Sequence, residues 1–254
     1  MLKTGLRVVS LLLLGTILSQ LVPLRARAEE ALSTTNRVMW VVAPLAGWDE
    51  NKLFARGPGG ARMTLTDTGP EYGMFLMMVH PNLVVNNFIF WADVNDADVF
   101  GDLLFANYFV NSEKVFTWNF GAGYLYHKIK PENEDIRVNT PMIKTGPRFK
   151  IPALHMSLNP YLGYAWERID TEHGDLNNNS ILYGLTANLH WRMIEGAVNY
   201  YYQDSQDIEE DFQVLRGRLS VFVNRTWGIS TRVDYMQHQT TDDLSFLIGP
   251  VFVF

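Results

Sequence analysis

Phe116-Thr117-Trp118-Asn119-Phe120-Gly121-Ala122-Gly123-Tyr124-Leu125-Tyr126 is the stretch that decides the fold class. Every second residue is apolar or aromatic: Phe116, Trp118, Phe120, Ala122, Tyr124 and Tyr126. The residues between them, apart from Leu125, are small or polar. Alternation at period two over about ten residues describes a β-strand with one apolar face. The same pattern returns in Ile181, Tyr183, Leu185, Ala187, Leu189 and Trp191, set against Leu182, Gly184, Thr186, Asn188 and His190. It returns again in Leu158, Pro160, Leu162, Tyr164 and Trp166.

Alternation alone leaves open which face turns inward, because a soluble barrel or sandwich would enclose the apolar one. Here bulky aromatics fill that face on strand after strand, more volume than a small closed interior holds. The other face is built of Gly, Asn, Thr, Ser and Arg, which suits a hydrated or hydrogen-bonded lumen. Strands of about ten residues also match a tilted membrane crossing. The expected fold is therefore all-β, a transmembrane antiparallel up-and-down barrel.

Working outward from this stretch gives eleven strands: 72–80, 83–93, 101–110, 115–128, 138–151, 156–168, 180–191, 196–204, 212–224, 228–238 and 244–254. Short connections such as His80-Pro81-Asn82 alternate with longer ones rich in Asp and Glu. Barrels of this kind keep short turns on the periplasmic side and longer loops outside. The last strand then descends to the periplasm, and a twelfth strand is needed before Tyr72. Residues 61–67 are the candidate and 37–48 the rival; ten or fourteen strands are the alternatives to twelve. Aromatic residues fall in two bands: Trp118, Phe149, Trp191, Trp227 and Phe252 near the turns, and Tyr126, Trp166, Tyr183, Tyr202, Tyr235 and Phe246 near the loops.

The N-terminus reads as an export signal. Lys3 and Arg7 precede an apolar run to Leu24, and Ala26-Arg27-Ala28 offers a small-x-small cleavage site. Residues 1–28 are the expected cleaved signal, 29–60 a periplasmic segment or lumen plug, and 61–254 the barrel. Cleavage removes Lys3, Arg7, Arg25 and Arg27 from 21 basic residues and none of the 27 acidic ones, so the formal charge moves from −6 to −10. That balance argues against a nucleic-acid partner. Cysteine is absent, so disulfides and thiolate metal sites are excluded, and no motif calls for a cofactor or metal.

The C-terminus carries a resemblance. Phe246-x-Ile248-x-Pro250-x-Phe252-x-Phe254 is an alternating apolar strand ending in phenylalanine. It resembles the closing segment by which Gram-negative outer-membrane β-barrels are recognised for assembly, with Phe252 and Phe254 as the signal. The resemblance implies a bacterial outer-membrane location, with lipids, lipopolysaccharide and the assembly machinery as partners. Pro250 departs from the pattern, since a proline forfeits a ladder hydrogen bond.

With the outward phase set, Lys144, Arg148, Lys150, Glu167, His190, Arg216, Arg218, Arg232, Asp234 and His238 point inward. Charges facing lipid cost about 2–4 kcal/mol each at mid-depth, so their confinement to one face supports the phase. They form either a salt-bridged interior or a basic constriction for small anionic or zwitterionic solutes or ions. The hairpin joining 212–224 to 228–238 puts Arg218 or Arg216 opposite Asp234, depending on register. A hydrolase is the weaker alternative. There is no His-Ser dipeptide, Asp234 and His238 stand about 13 Å apart along one strand, and His173 among Asp170 and Asp175 matches no motif. The leading expectation is a non-enzymatic narrow pore, with a plugged structural or adhesive barrel as the other rival.

Overall fold

The computed structural model describes residues 38–56, 62–94, 97–130, 135–172, 174–206, 211–238 and 241–254. Twelve strands follow one another: β1 (Met39–Arg56), β2 (Arg62–His80), β3 (Leu83–Val94), β4 (Ala97–Val110), β5 (Phe116–Lys130), β6 (Ile136–Ile151), β7 (Met156–Thr171), β8 (Gly174–Trp191), β9 (Ile194–Ser205), β10 (Phe212–Phe222), β11 (Trp227–Gln237) and β12 (Thr241–Val253). Each pairs antiparallel with its neighbours, and β12 pairs with β1 to close the barrel.

Pairing also fixes the dimensions. Stepping from Met39 through the paired positions of successive strands returns to β1 at Leu53. That shear of about fourteen residues over twelve strands sets a tilt of about 39° and a backbone radius of about 12 Å.

The twelve-strand expectation holds, but its first strand lies elsewhere. Residues 61–67 do not form a separate strand; Arg62–His80 is one continuous β2. The rival segment supplies β1, which runs from Met39 to Arg56. Met39–Arg56, within the segment 29–60 expected to be periplasmic or a lumen plug, is thus a barrel strand, and the barrel begins before residue 61. The reason is physical: β1 buries Val41, Ala43 and Leu45 inside the barrel and presents Trp40 and Trp48 outside. With both faces apolar, the period-two signal disappears. The expected signal peptide lies outside the described residues.

Strands also run past their expected ends. β7 and β8 continue as a ladder to the pairs Asp170↔Asp175 and Thr171↔Gly174, so much of the expected loop 169–179 is sheet. Polar residues there satisfy water with their side chains and the ladder with their backbone. Prolines interrupt the sheet in register. Pro147 faces Pro160, and the β6–β7 partners skip from Thr145↔Leu162 to Phe149↔Leu158. Pro44 and Pro250 face each other likewise at the closing seam, where partners skip from Val42↔Phe252 to Ala46↔Ile248. Neither proline has an N–H to donate, and placing them opposite each other confines the missing bonds to one step.

The outer wall is apolar. Leu104, Phe120, Ile143, Leu162, Leu185, Val198, Leu219, Ile229 and Ile248 are exposed. The two expected aromatic bands flank them, about 20 Å apart along the axis at the tilt above. A closed sheet leaves no unpaired edge for lipid to meet, and an apolar wall between aromatic belts matches a bilayer. The chain is an outer-membrane β-barrel.

Candidate functional site

The lumen is defined by which residues the ladders turn inward. All ten charged residues expected inside fall on the inward phase: Lys144 pairs with Gly121 and Gly163, and Arg216 with Asp234 and Asn199. Arg218 sits opposite Arg232, the register in which Arg216 rather than Arg218 faces Asp234. Each ladder step climbs about 1.2 residues along the axis because of the shear. Corrected for this, Lys144, Arg216, Arg218 and Arg232 share one depth near mid-membrane. Arg148 lies below them. Lys150 and His190 lie at the turn-side mouth, where His190 Nδ1 is 3.5 Å from Glu195 Oε1. Glu167 and His238 lie toward the loops, with His238 stacked on the Phe212 ring at 4.5 Å.

The interior is not polar throughout. Val41, Ala43, Leu45, Phe75, Phe88, Leu103, Leu247 and Val251 pack into one buried cluster inside the barrel. It lines the arc β12-β1-β2-β3-β4. Burying these groups against one another removes apolar area from water, so this arc is closed by packing. The part-exposed charged side chains Lys144, Arg148, Arg216 and Arg218 line the opposite arc. The polar inward faces of β5, β7 and β8 suit a hydrated or hydrogen-bonded lumen; β1 and β12, apolar on both faces, depart from it.

Aromatic rings, more than carboxylates, receive the cations. Arg232 lies 3.7 Å from the centroid of Phe88 and Arg218 4.7 Å from that of Phe75. Both contacts reach across four strand positions of the ring. Lys144 Nζ is 4.6 Å from the Tyr161 ring and 5.8 Å from Phe105; Arg148 is 4.4 Å from Phe109. Such stacking is worth about 0.5–2 kcal/mol and leaves the positive charge unneutralised. Inward glycines make room for the rings. A Cβ on Gly184 would come within 2.2 Å of Tyr161, and one on Gly123 within 2.6 Å of Phe105. The ring therefore lies flat on the wall and offers its face to the lysine.

Among the described residues, only Arg232 of the inward lysines and arginines has a carboxylate within ion-pair distance. Its Nη2 donates to Asp234 Oδ2 at 2.5 Å and its Nε to the same oxygen at 3.0 Å. Lys144, Arg148, Lys150, Arg216 and Arg218 have none there. They use neutral acceptors instead: Arg148 donates to Ser157 Oγ at 3.3 Å and Arg218 to Ser220 Oγ at 3.2 Å. Lys150 donates to the Ser112 carbonyl. Above this tier the sign changes. Asp49, Glu71, Asp234 and Asp243 point inward on β1, β2, β11 and β12, and Ser245 donates to the buried Glu71. Inward-pointing cations thus gather at mid-depth and inward-pointing carboxylates toward the loops.

Phe75, Phe88, Tyr161, Asp49 and Glu71 were not identified from sequence. Tyr161 was legible in phase, since it alternates with Leu162, but nothing local marks a ring as a cation's partner. Phe75 and Phe88 meet their arginines only after the barrel closes. His173, considered for the hydrolase alternative, lies outside the described residues.

No protein-family model matches the sequence. No curated protein matches it significantly. Among solved structures, the translocator domain of the autotransporter NalP from Neisseria meningitidis is 13% identical, with 88% of this chain and 91% of that chain covered at TM-score 0.49. The KdgM porin is 9% identical, with 85% and 99% covered at TM-score 0.46. An anion-selective porin from Comamonas acidovorans is 9% identical, with 86% and 99% covered at TM-score 0.35. At these values the likenesses carry no function across.

Proposed function

We propose that this barrel is a narrow solute channel of the outer membrane, with a mid-depth tier of cations that favours small anionic or zwitterionic solutes. One observation carries the reading: Lys144, Arg216 and Arg218 share one depth and have no carboxylate within ion-pair distance among the described residues. A salt-bridged structural interior would pair them, because a buried unpaired charge is costly. Stacking on a ring keeps each side chain in place while its charge stays available to a passing anion. At about 5 Å and an effective dielectric constant near 20, one such charge attracts a monoanion by about 3 kcal/mol before desolvation is counted. The acidic tier above gives a zwitterion a place for its cationic end.

The test is single-channel recording in planar bilayers across a salt gradient. The expected result is a small conductance with anion preference, lost or reversed in Arg216→Glu/Arg218→Glu. Cation preference in the unaltered barrel, or silence of a demonstrably folded one, would overturn the proposal. Silence would favour the second reading, a closed structural barrel, which the apolar arc and the stacks of Arg218 on Phe75 and Arg232 on Phe88 support.

A further inference from the structure

Prolines weaken one seam of the wall. The Lys150 N–H donates to the Val115 carbonyl on the β5 side, so the odd-numbered residues of β6 direct their N–H groups to β7. Pro141 and Pro147 are among these and have no N–H to direct. Pro160 on β7 stands opposite Pro147 and lacks a donor in turn. The paired positions stop at Thr145↔Leu162 and resume at Phe149↔Leu158. Over these four residues, about 13 Å, no cross-strand bond can form at the proline pair. A second break, between Asn139↔Arg168 and Met142↔Ala165, brackets Pro141.

The Pro44–Pro250 pair breaks the β1–β12 seam in the same way, and every other ladder runs unbroken. What lies behind the two broken seams differs. Behind Pro44 and Pro250 the packed cluster of Val41, Leu45, Leu247 and Val251 seals the inner face. Behind Pro147 and Pro160 the inner face is polar. Gly146 stands at its centre, with Lys144 and Arg148 two residues to either side on the same phase. Arg148 Nε is buried with no acceptor, and Asn159 Oδ1 beside it is buried with no donor. Neither cation has a carboxylate within ion-pair distance among the described residues. Glu195, inward on β9 at the Arg148 depth, lies beside His190 instead. On the lipid side the same stretch shows Ile143, Phe149 and Leu162, all exposed. Corrected for shear, the proline pair lies between the turn-side aromatic band and mid-membrane, in the periplasmic half of the bilayer.

We infer that this gap is a side port through the barrel wall for a single-chain amphipathic anion. The head rests on Arg148 and Lys144 in the lumen, and the chain passes between β6 and β7 into the periplasmic half of the bilayer. The two faces of the seam match the two ends of such a molecule. A guanidinium suits a carboxylate or phosphate head, and strands without a bond between them part without breaking one. A Cβ on Gly146 would come within 2.0 Å of the Pro160 carbonyl, so the glycine lets the strands meet and shut the port. The port belongs to the wall and does not depend on ion conduction along the lumen.

The test uses the full mature chain folded in micelles of a non-ionic detergent, titrated with decanoate and read by native mass spectrometry. The unaltered barrel should retain one decanoate, with acetate and decanol each at least about tenfold weaker. Pro147→Val/Pro160→Val restores both donors; it should raise the urea midpoint and weaken decanoate by at least about tenfold. The same exchange at the sealed seam, Pro44→Val/Pro250→Val, should leave binding unchanged. Met142→Cys/Ala165→Cys pins the strands just above the gap without touching a proline. Its binding should be lost on oxidation and return on reduction, which a folding defect would not do. Decanoate binding that survives both the valine pair and the oxidised disulfide would overturn the inference. So would acetate or decanol binding as tightly as decanoate, since the site would then need no chain or no charge.

Discussion

Replacing Asp234 with asparagine removes one charge from the most enclosed ion pair in the lumen and keeps the side-chain shape. The Arg232 side chain is 10% exposed and that of Asp234 25%, and one carboxylate oxygen takes both guanidinium contacts. Breaking a fully buried pair costs about 3–5 kcal/mol, and an exposed pair is worth about 0–1. With Asp234 a quarter exposed, and with Phe88 retaining its contact to the guanidinium, the expected loss is about 2–3 kcal/mol. Reversible urea unfolding in lipid vesicles, followed by tryptophan fluorescence, measures it. Replacing both partners, as Arg232→Met/Asp234→Asn, should restore most of the loss, because no charge is then left stranded. The same Asp234→Asn barrel should gain anion preference, having lost the carboxylate nearest the cation tier. A loss below about 0.5 kcal/mol would refute the reasoning: the pair would then stand in water, and the lumen beside Phe88 would be open.

Three further outcomes are expected. Gly184→Val drives a Cβ into the Tyr161 ring and displaces its hydroxyl from Asn199, now 3.0 Å away; stability should fall by about 1–3 kcal/mol and conductance should drop, as urea unfolding and bilayer recording would show. Deleting Phe254 removes the reciprocal backbone bonds between Phe254 and Trp40 at the closing seam, and the folded, heat-modifiable fraction in the outer membrane should fall. A cysteine at Asp175 should react with an impermeant maleimide on intact cells and one at Asn224 should not, with the opposite pattern inverting the topology.

The sequence by itself determined the class, the strand phase and the content of one arc. Phe116–Tyr126 and its repeats have one apolar and one polar face, so period two reports directly which residues meet lipid. That phase was enough to put Lys144, Arg216, Arg218 and Arg232 inside. It failed at Val41, Ala43 and Leu45, where both faces are apolar and alternation vanishes, and the first strand was misplaced for that reason. It also said nothing of depth. Arg218 and Phe75 lie far apart in the chain, and they meet because the shear lifts each ladder by a fixed step until residues from opposite walls share a level. Register at the β10–β11 hairpin was narrowed to two choices by parity, since opposed residues must share a face. The turn, where the Asn224 side chain accepts from the Thr226 and Trp227 N–H groups, fixes the one that sets Arg216 opposite Asp234 and leaves Arg232 to make the ion pair. Local periodicity fixes which way a side chain points; which side chain it meets across a lumen is a property of the closed sheet.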